Sequence, residues 1–175
     1  DGTPIVMFDR IADGVDCDKV IVDDFDSALN STQHLIDLGH KQIAFIGATL
    51  ESGKNLKRFQ GYLKALKAGN LAIEGRFITG NSETSDDAPG YSTEKIGYEA
   101  MKRLLALPNR PTAVFARNDF TAIGAINAIK ESGLSIPNDI SIVGFDDIPM
   151  AIHTSPALTT VRQPTRREGS LAAEF

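Results

Sequence analysis

The chain has 175 residues, a single cysteine at Cys17 and no tryptophan. One thiol cannot close an internal bridge, so a disulfide-stapled scaffold is excluded, and the count is compatible with a reducing cytoplasm. Cys17 itself reads as a bystander in an acidic loop. Long apolar runs are missing as well: none approaches the roughly 20 residues that a membrane-spanning helix needs. Positive charge is in short supply. There are 18 Lys and Arg against 23 Asp and Glu, a formal net charge of -5. No window is basic enough to follow a phosphate backbone, so this chain by itself is expected to bind nucleic acid poorly. No basic-then-apolar leader opens the chain; because Asp1 is not an initiator Met, the absence of a signal carries no weight. With 42% hydrophobic and 23% charged residues, the composition is that of an ordinary globular protein rather than a collagen or a coiled coil.

Catalytic and metal-binding signatures are also wanting. His34, His40 and His153 lack metal-ligand spacing, and no serine sits in a nucleophile elbow. The acids Asp13, Asp16, Asp18, Asp23, Asp24 and Asp26 lack the Gly and terminal Glu of a calcium loop and read as a solvated acidic turn. The stretch from Gly47 to Asn55 resembles a phosphate loop but fails twice. Its glycines enclose five residues, and Asn55 stands where a magnesium-binding Ser or Thr belongs. Neither an enzyme nor a metal, nor any other cofactor, is expected.

What the chain does contain is an alternation of short apolar runs with stretches of helical period. The runs are Ile5 to Phe8, Val20 to Val22, Ile43 to Ile46, Ala113 to Ala116 and Ile140 to Val143. They are too apolar for a sheet with one wet face and so predict strands covered on both sides. Between them lie the helical stripes Ala28-Leu29-Thr32-Leu35-Ile36, Leu56-Phe59-Leu63-Leu66, Ile96-Ala100-Met101-Leu104-Leu105 and Phe120-Ile123-Ile126-Ile129. Such alternation predicts a doubly wound parallel α/β sheet. Residues 81–90 carry no periodicity and read as a surface loop.

Ligands of open α/β sheets bind beyond the carboxyl ends of the strands. Every run here ends in polar residues, among them Asp9-Arg10, Asp23-Asp24, Arg117-Asn118-Asp119 and Asp146-Asp147. Asp24, Asp26, Lys54, Arg58, Asn118, Asp146 and Gln163 together suit a neutral polyol, because carboxylate and guanidinium groups contact adjacent hydroxyls well. A sugar would also want an aromatic face; the candidates are Tyr91, Phe25 and Phe145.

Five motifs stand in the order and spacing of one known family: Leu35 to Gly47, Arg58 to Tyr62, Asn118-Asp119, Ile142 to Asp147 and Leu158 to Pro164. By them the chain resembles the LacI/GalR family of bacterial transcription regulators. The resemblance implies a periplasmic-binding-protein-like core of two doubly wound parallel-sheet halves, the N-terminal half incomplete. Residues 1–40 and 162–175 would belong to that first half and residues 41–161 to the C-terminal half. The family's helix-turn-helix has no counterpart in this chain, so operator DNA would be bound through another segment of a homodimeric, cytoplasmic regulator. Carried over by position, the effector contacts would be Asp26, Lys54, Arg58, Asn118, Asp146 and Gln163, with Tyr91 or Phe145 stacking. Several have structural alternatives: Asn118 as a helix cap, Gln163 bridging the crossover backbones, Arg58 and Asp146 paired with each other. Position 92 is Ser where many members place a stacking aromatic, and Lys54 replaces a smaller polar residue, which favours a phosphorylated or acidic sugar. An exported sugar-binding protein of a transporter or chemoreceptor would share the fold.

Overall fold

The computed structural model describes residues 5–9, 14–47, 53–80 and 93–174; within them, the side chains of 53–55 are not described. Two sheets are present among these residues. β1 (Val6–Phe8) and β2 (Asp18–Val20) form a parallel pair. The larger sheet has five parallel strands in the order β4-β3-β5-β6-β7: β3 (Ile43–Ile46), β4 (Ile78–Thr79), β5 (Ala113–Ala116), β6 (Ser141–Asp146) and β7 (Thr159–Arg162).

Helices cover both faces of the larger sheet. Because side chains alternate along a strand, Phe45, Phe115, Val143 and Phe145 face one cluster, together with Ala28 and Leu35 of α1 (Asp24–Asp37) and Phe59, Tyr62 and Leu66 of α2 (Gly53–Ala68). Ala44, Ile46, Val114 and Ala116 face the other, with Met101 and Leu104 of α3 (Thr93–Leu105) and Ala125 and Ile129 of α4 (Asp119–Glu131). β3 and β5 are buried at every residue, as the sequence predicts for central strands. α5 (Thr165–Glu174) lies against β1 and β2.

Local chemistry sets the helix ends. Asp23 caps α1 by accepting a hydrogen bond from the Asp26 amide at 2.9 Å, and Asp24 and Asp26 in the first turn favour the positive end of its dipole. At the far end Gly39, at φ +92°, donates to the carbonyl of Ile36, and His40 donates to that of Leu35.

Several expectations are corrected. The second strand is Asp18–Val20 rather than 20–22, and Ile21 and Phe8 are more than half exposed, so the smaller sheet is not covered on both sides. The stripe expected on α4 holds at Ile126 and Ile129 but not at Phe120, and the buried face extends over the alanines. Phe120 is exposed, while Ala122, Ala125, Ala128 and Ile129 are fully buried. The cause is a close crossing of α3 and α4, where a Cβ on Gly97 would come within 1.9 Å of the Thr121 carbonyl oxygen and one on Gly124 within 1.8 Å of that of Glu94. Small residues, not the largest ones, face such a contact. The apolar stripe of α1 packs against α2 and the five-stranded sheet. Likewise β7, which pairs Arg162 with Asp146, belongs to that sheet. The edge strands β4, of two residues, and β7, with Val161 its one apolar residue, carry no apolar run.

Candidate functional site

The exits of β3, β5, β6 and β7 all lie at the carboxyl edge of the parallel sheet, where side chains from separate strands converge. After β3 the chain passes through Gly47 at φ +139°; a Cβ there would lie 2.4 Å from that of Arg117. Only glycine lets the Arg117 side chain cross the backbone so closely. After β6, Asp146 and Asp147 both have positive φ, +118° and +57°. Such conformations cost on the order of 1–3 kcal/mol each and persist where surrounding contacts enforce them.

Arg58 is the centre of the arrangement. It projects from the first turns of α2 and is 5% exposed. Its Nε donates to Asp24 Oδ1 at 2.7 Å, its Nη1 to the Arg117 carbonyl at 2.5 Å and its Nη2 to Asp146 Oδ1 at 3.4 Å. The guanidinium carbon stands 3.6 Å from the centroid of the Phe145 ring. Three acceptors and a ring face fix the plane of the guanidinium, which a lysine ammonium would not permit. Asp146 Oδ1 also accepts from the Gln163 carboxamide, and Asp147 Oδ2 from Arg162 Nε. Beside these groups is a cavity of about 520 Å³ whose lining includes Asp9, Asp146, Asp147, Ile148, Arg162 and Gln163. Asp9 comes from the exit of β1, the others from β6 and β7, so the cavity touches both sheets.

Of the residues anticipated from sequence, Arg58, Asp146 and Gln163 come together. Asn118 is the N-cap of α4, accepting from the Thr121 amide at 2.9 Å. Asp26 is exposed, and among the described residues no hydrogen bond joins its side chain to Arg58. Phe145 is fully buried against Arg58 and does not line the cavity, so it offers no stacking face to a ligand; its place in the sheet turns it into the core shared with α1 and α2. Tyr91 and the side chain of Lys54 lie outside the described residues.

Two carboxylates carry more than the sequence suggested. Asp24 is the buried partner of Arg58. It precedes Ala28 by four residues, so helical spacing places it on the buried stripe of α1 and Asp26 off it, a signal readable in advance. Asp119 is fully buried and accepts from the Ile148 amide at 2.9 Å and the Thr160 hydroxyl at 2.5 Å. Burial pushes its carboxyl pKa upward, opposed by those hydrogen bonds. Among the described residues no group of three His, Cys, Asp or Glu side chains is arranged to hold a metal. No helix there is long and apolar enough to cross a membrane.

A doubly wound sheet with a buried guanidinium-carboxylate cluster beside a cavity at its carboxyl edge has the architecture of a ligand-binding α/β domain. The profile of the periplasmic binding protein-like domain matches residues 32–175. The chain belongs to that family, in the form carried by LacI-family regulators. It is 37% identical over 169 residues to an HTH-type transcriptional repressor, PurR, of Mannheimia succiniciproducens, which covers 97% of this chain and 48% of the relative. A crystal structure of a LacI-family regulatory protein from Chloroflexus aggregans superposes with a TM-score of 0.86 at 35% identity, over 98% of this chain and 58% of that one. A transcriptional regulator CelR in complex with cellobiose superposes with a TM-score of 0.83 at 31% identity, over 99% and 51%. The chain spans about half the length of the curated relatives it matches.

Proposed function

We propose that the chain is the effector-binding core of a ligand-responsive transcription regulator, and that its effector is an uncharged polyhydroxyl compound of the sugar class. The observation that carries this reading is the chain of hydrogen bonds from Arg58 through Asp146 to Gln163 at the edge of a cavity shared by the two sheets. Asp146 lines the cavity beside the Arg162 guanidinium, and a carboxylate that accepts from one hydroxyl next to a guanidinium that donates to its neighbour matches a vicinal diol. The cellobiose complex of a similar regulator supports a sugar. Charge balance supports a neutral one. Arg58 is committed to Asp24, and among the described lining residues Asp9, Asp146 and Asp147 outnumber Arg162. A phosphate group would meet carboxylates, so the acidic or phosphorylated sugar that Lys54 suggested is not part of this reading.

Because the cavity wall is drawn from both sheets, a ligand within it favours one angle between them over another. It shifts the equilibrium by no more than its difference in affinity for the two arrangements, typically about 1–3 kcal/mol. We assign α1 and the five-stranded sheet to one half of the core, and β1, β2 and α5 to the other. In the whole regulator this movement is read out by a DNA-binding segment of the helix-turn-helix type, as the names of the relatives indicate, in a homodimer whose symmetry matches a palindromic operator. Calorimetry with neutral mono- and disaccharides, cellobiose among them, and with their phosphate esters tests the proposal. Saturable binding of a neutral sugar, weakened at least about tenfold (about 1.4 kcal/mol) by Asp146→Asn, is expected. Binding confined to phosphate esters, or indifferent to Asp146→Asn, refutes it.

A further inference from the structure

The buried carboxylate of Asp119 does not itself line the cavity but accepts from the amide of Ile148, which does. It follows the Asn118 cap at the start of α4, and its room is made by Gly144 of β6, where a Cβ would stand 2.3 Å from Oδ1. A fully buried carboxylate is costly unless donors meet it. Here the donors come from the two segments that carry the ligand-facing groups. The Ile148 amide closes the turn through Asp146 and Asp147, whose positive φ values need holding in place. The Thr160 hydroxyl belongs to β7, three residues before Gln163. One carboxylate therefore ties the turn that aims Asp146 to the strand that delivers Gln163.

We propose that Asp119 is a positioning residue of the effector site, holding the 146–148 turn and β7 so that the Asp146 carboxylate and the Gln163 carboxamide meet. The inference rests on reading Asp146 and Gln163 as effector contacts, but its own claim concerns their mutual placement and is tested without ligand.

Nitrogen-15 NMR of this chain supplies the test. In the unaltered protein the Ile148 amide is expected to be protected from exchange and the Gln163 side-chain amide signals to be displaced from solvent values, because both groups donate to buried or part-buried carboxylates. Asp119→Ala is expected to speed exchange at Ile148 by about tenfold or more while Phe45 and Val114 in the central strands keep their protection. The Gln163 side-chain signals then move to solvent values. Asp119→Asn is expected to restore most of both, because its carboxamide oxygen still accepts from Ile148 while the Thr160 hydroxyl turns to accept from its nitrogen. Gln163 signals that stay in place while Ile148 loses protection overturn the proposal. So does a loss of protection spread evenly over β3 and β5, which marks a merely structural role. If Asp119→Ala does not fold, Thr160→Val decides: it deletes one donor, and unmoved Gln163 signals refute the claim. Failure of sugars to bind in calorimetry would remove the effector reading yet leave this placement standing.

Discussion

Replacing Arg58 by alanine tests the centre of the site most severely. The side chain is 6% exposed and its partner Asp24 is 8% exposed, so solvent does little to screen the pair. Removing the guanidinium leaves the Asp24 carboxylate buried without its counter-charge, the Arg117 carbonyl without its donor and the Phe145 ring without its cation. Breaking one side of a buried ion pair costs about 3–5 kcal/mol, mostly the penalty of the charge left behind. For a domain of this size each kcal/mol lowers Tm by about 2–4 °C, so Arg58→Ala is expected to lose roughly 6–20 °C. Asp24→Asn keeps an acceptor for Nε and is expected to cost less, about 1–3 kcal/mol. If the two groups act as a pair, Arg58→Ala with Asp24→Asn is less damaging than the sum of the single changes, with a coupling of about 1–3 kcal/mol. Urea unfolding followed by circular dichroism measures all three variants. A loss below about 1 kcal/mol for Arg58→Ala, or additivity within about 0.5 kcal/mol, would refute the buried-pair reasoning. Arg58 then serves the ligand alone.

Other consequences follow from named contacts. His40 bridges Thr112 and Ser141 at 3.0 and 2.9 Å at the amino edge of the sheet, and burial lowers its pKa below the usual 6.5. The unfolded chain takes up the proton first, so stability is fully present above about pH 6.5 and falls as pH drops toward the folded-state pKa. His40→Gln should flatten that slope in urea titrations between pH 7 and 5; an unchanged slope counts against it. Gly124→Ala puts a Cβ into the Glu94 carbonyl and should destabilise by about 1–3 kcal/mol or more, whereas Gly133→Ala, with open space around it, should show only the cost of its φ of +74°. Tyr62→Phe deletes the hydroxyl that donates to the Ile43 carbonyl at 2.8 Å and should cost about 0.5–1.5 kcal/mol by thermal unfolding. Mixed with an operator-sized duplex in a mobility assay, this chain should shift it no better than an acidic control; a steep, salt-dependent shift would show a DNA-binding face that its charge does not suggest.

The central architecture was legible in the sequence because β3 and β5 are hydrophobic at every position and their flanking helices repeat apolar residues at helical spacing. Those patterns depend only on which faces must avoid water. The polar residues at the strand exits were legible for a related reason: a parallel sheet leaves one edge for ligands, and the order of the strands determines which residues reach it. Asp146 and Gln163 stand at the ends of β6 and β7, where that rule points, and Arg58 reaches the same edge from α2. Their partners were decided by tertiary structure. That Arg58 is held by Asp24 across 34 residues, and that Phe145 turns into the core under its guanidinium, follow from the packing of α1 on α2 and not from any local signal in α2. Likewise Asn118, chemically able to meet a ligand, spends its oxygen on a helix cap, and Asp119 beside it links β7 to the turn after β6. The alanine-rich buried face of α4 has the same origin, since the approach of Gly97 to Thr121 and of Gly124 to Glu94 requires two helices to meet. A sequence shows what each side chain can donate or accept; which of those capacities is already satisfied depends on which residues the folded chain brings within about 3 Å of one another.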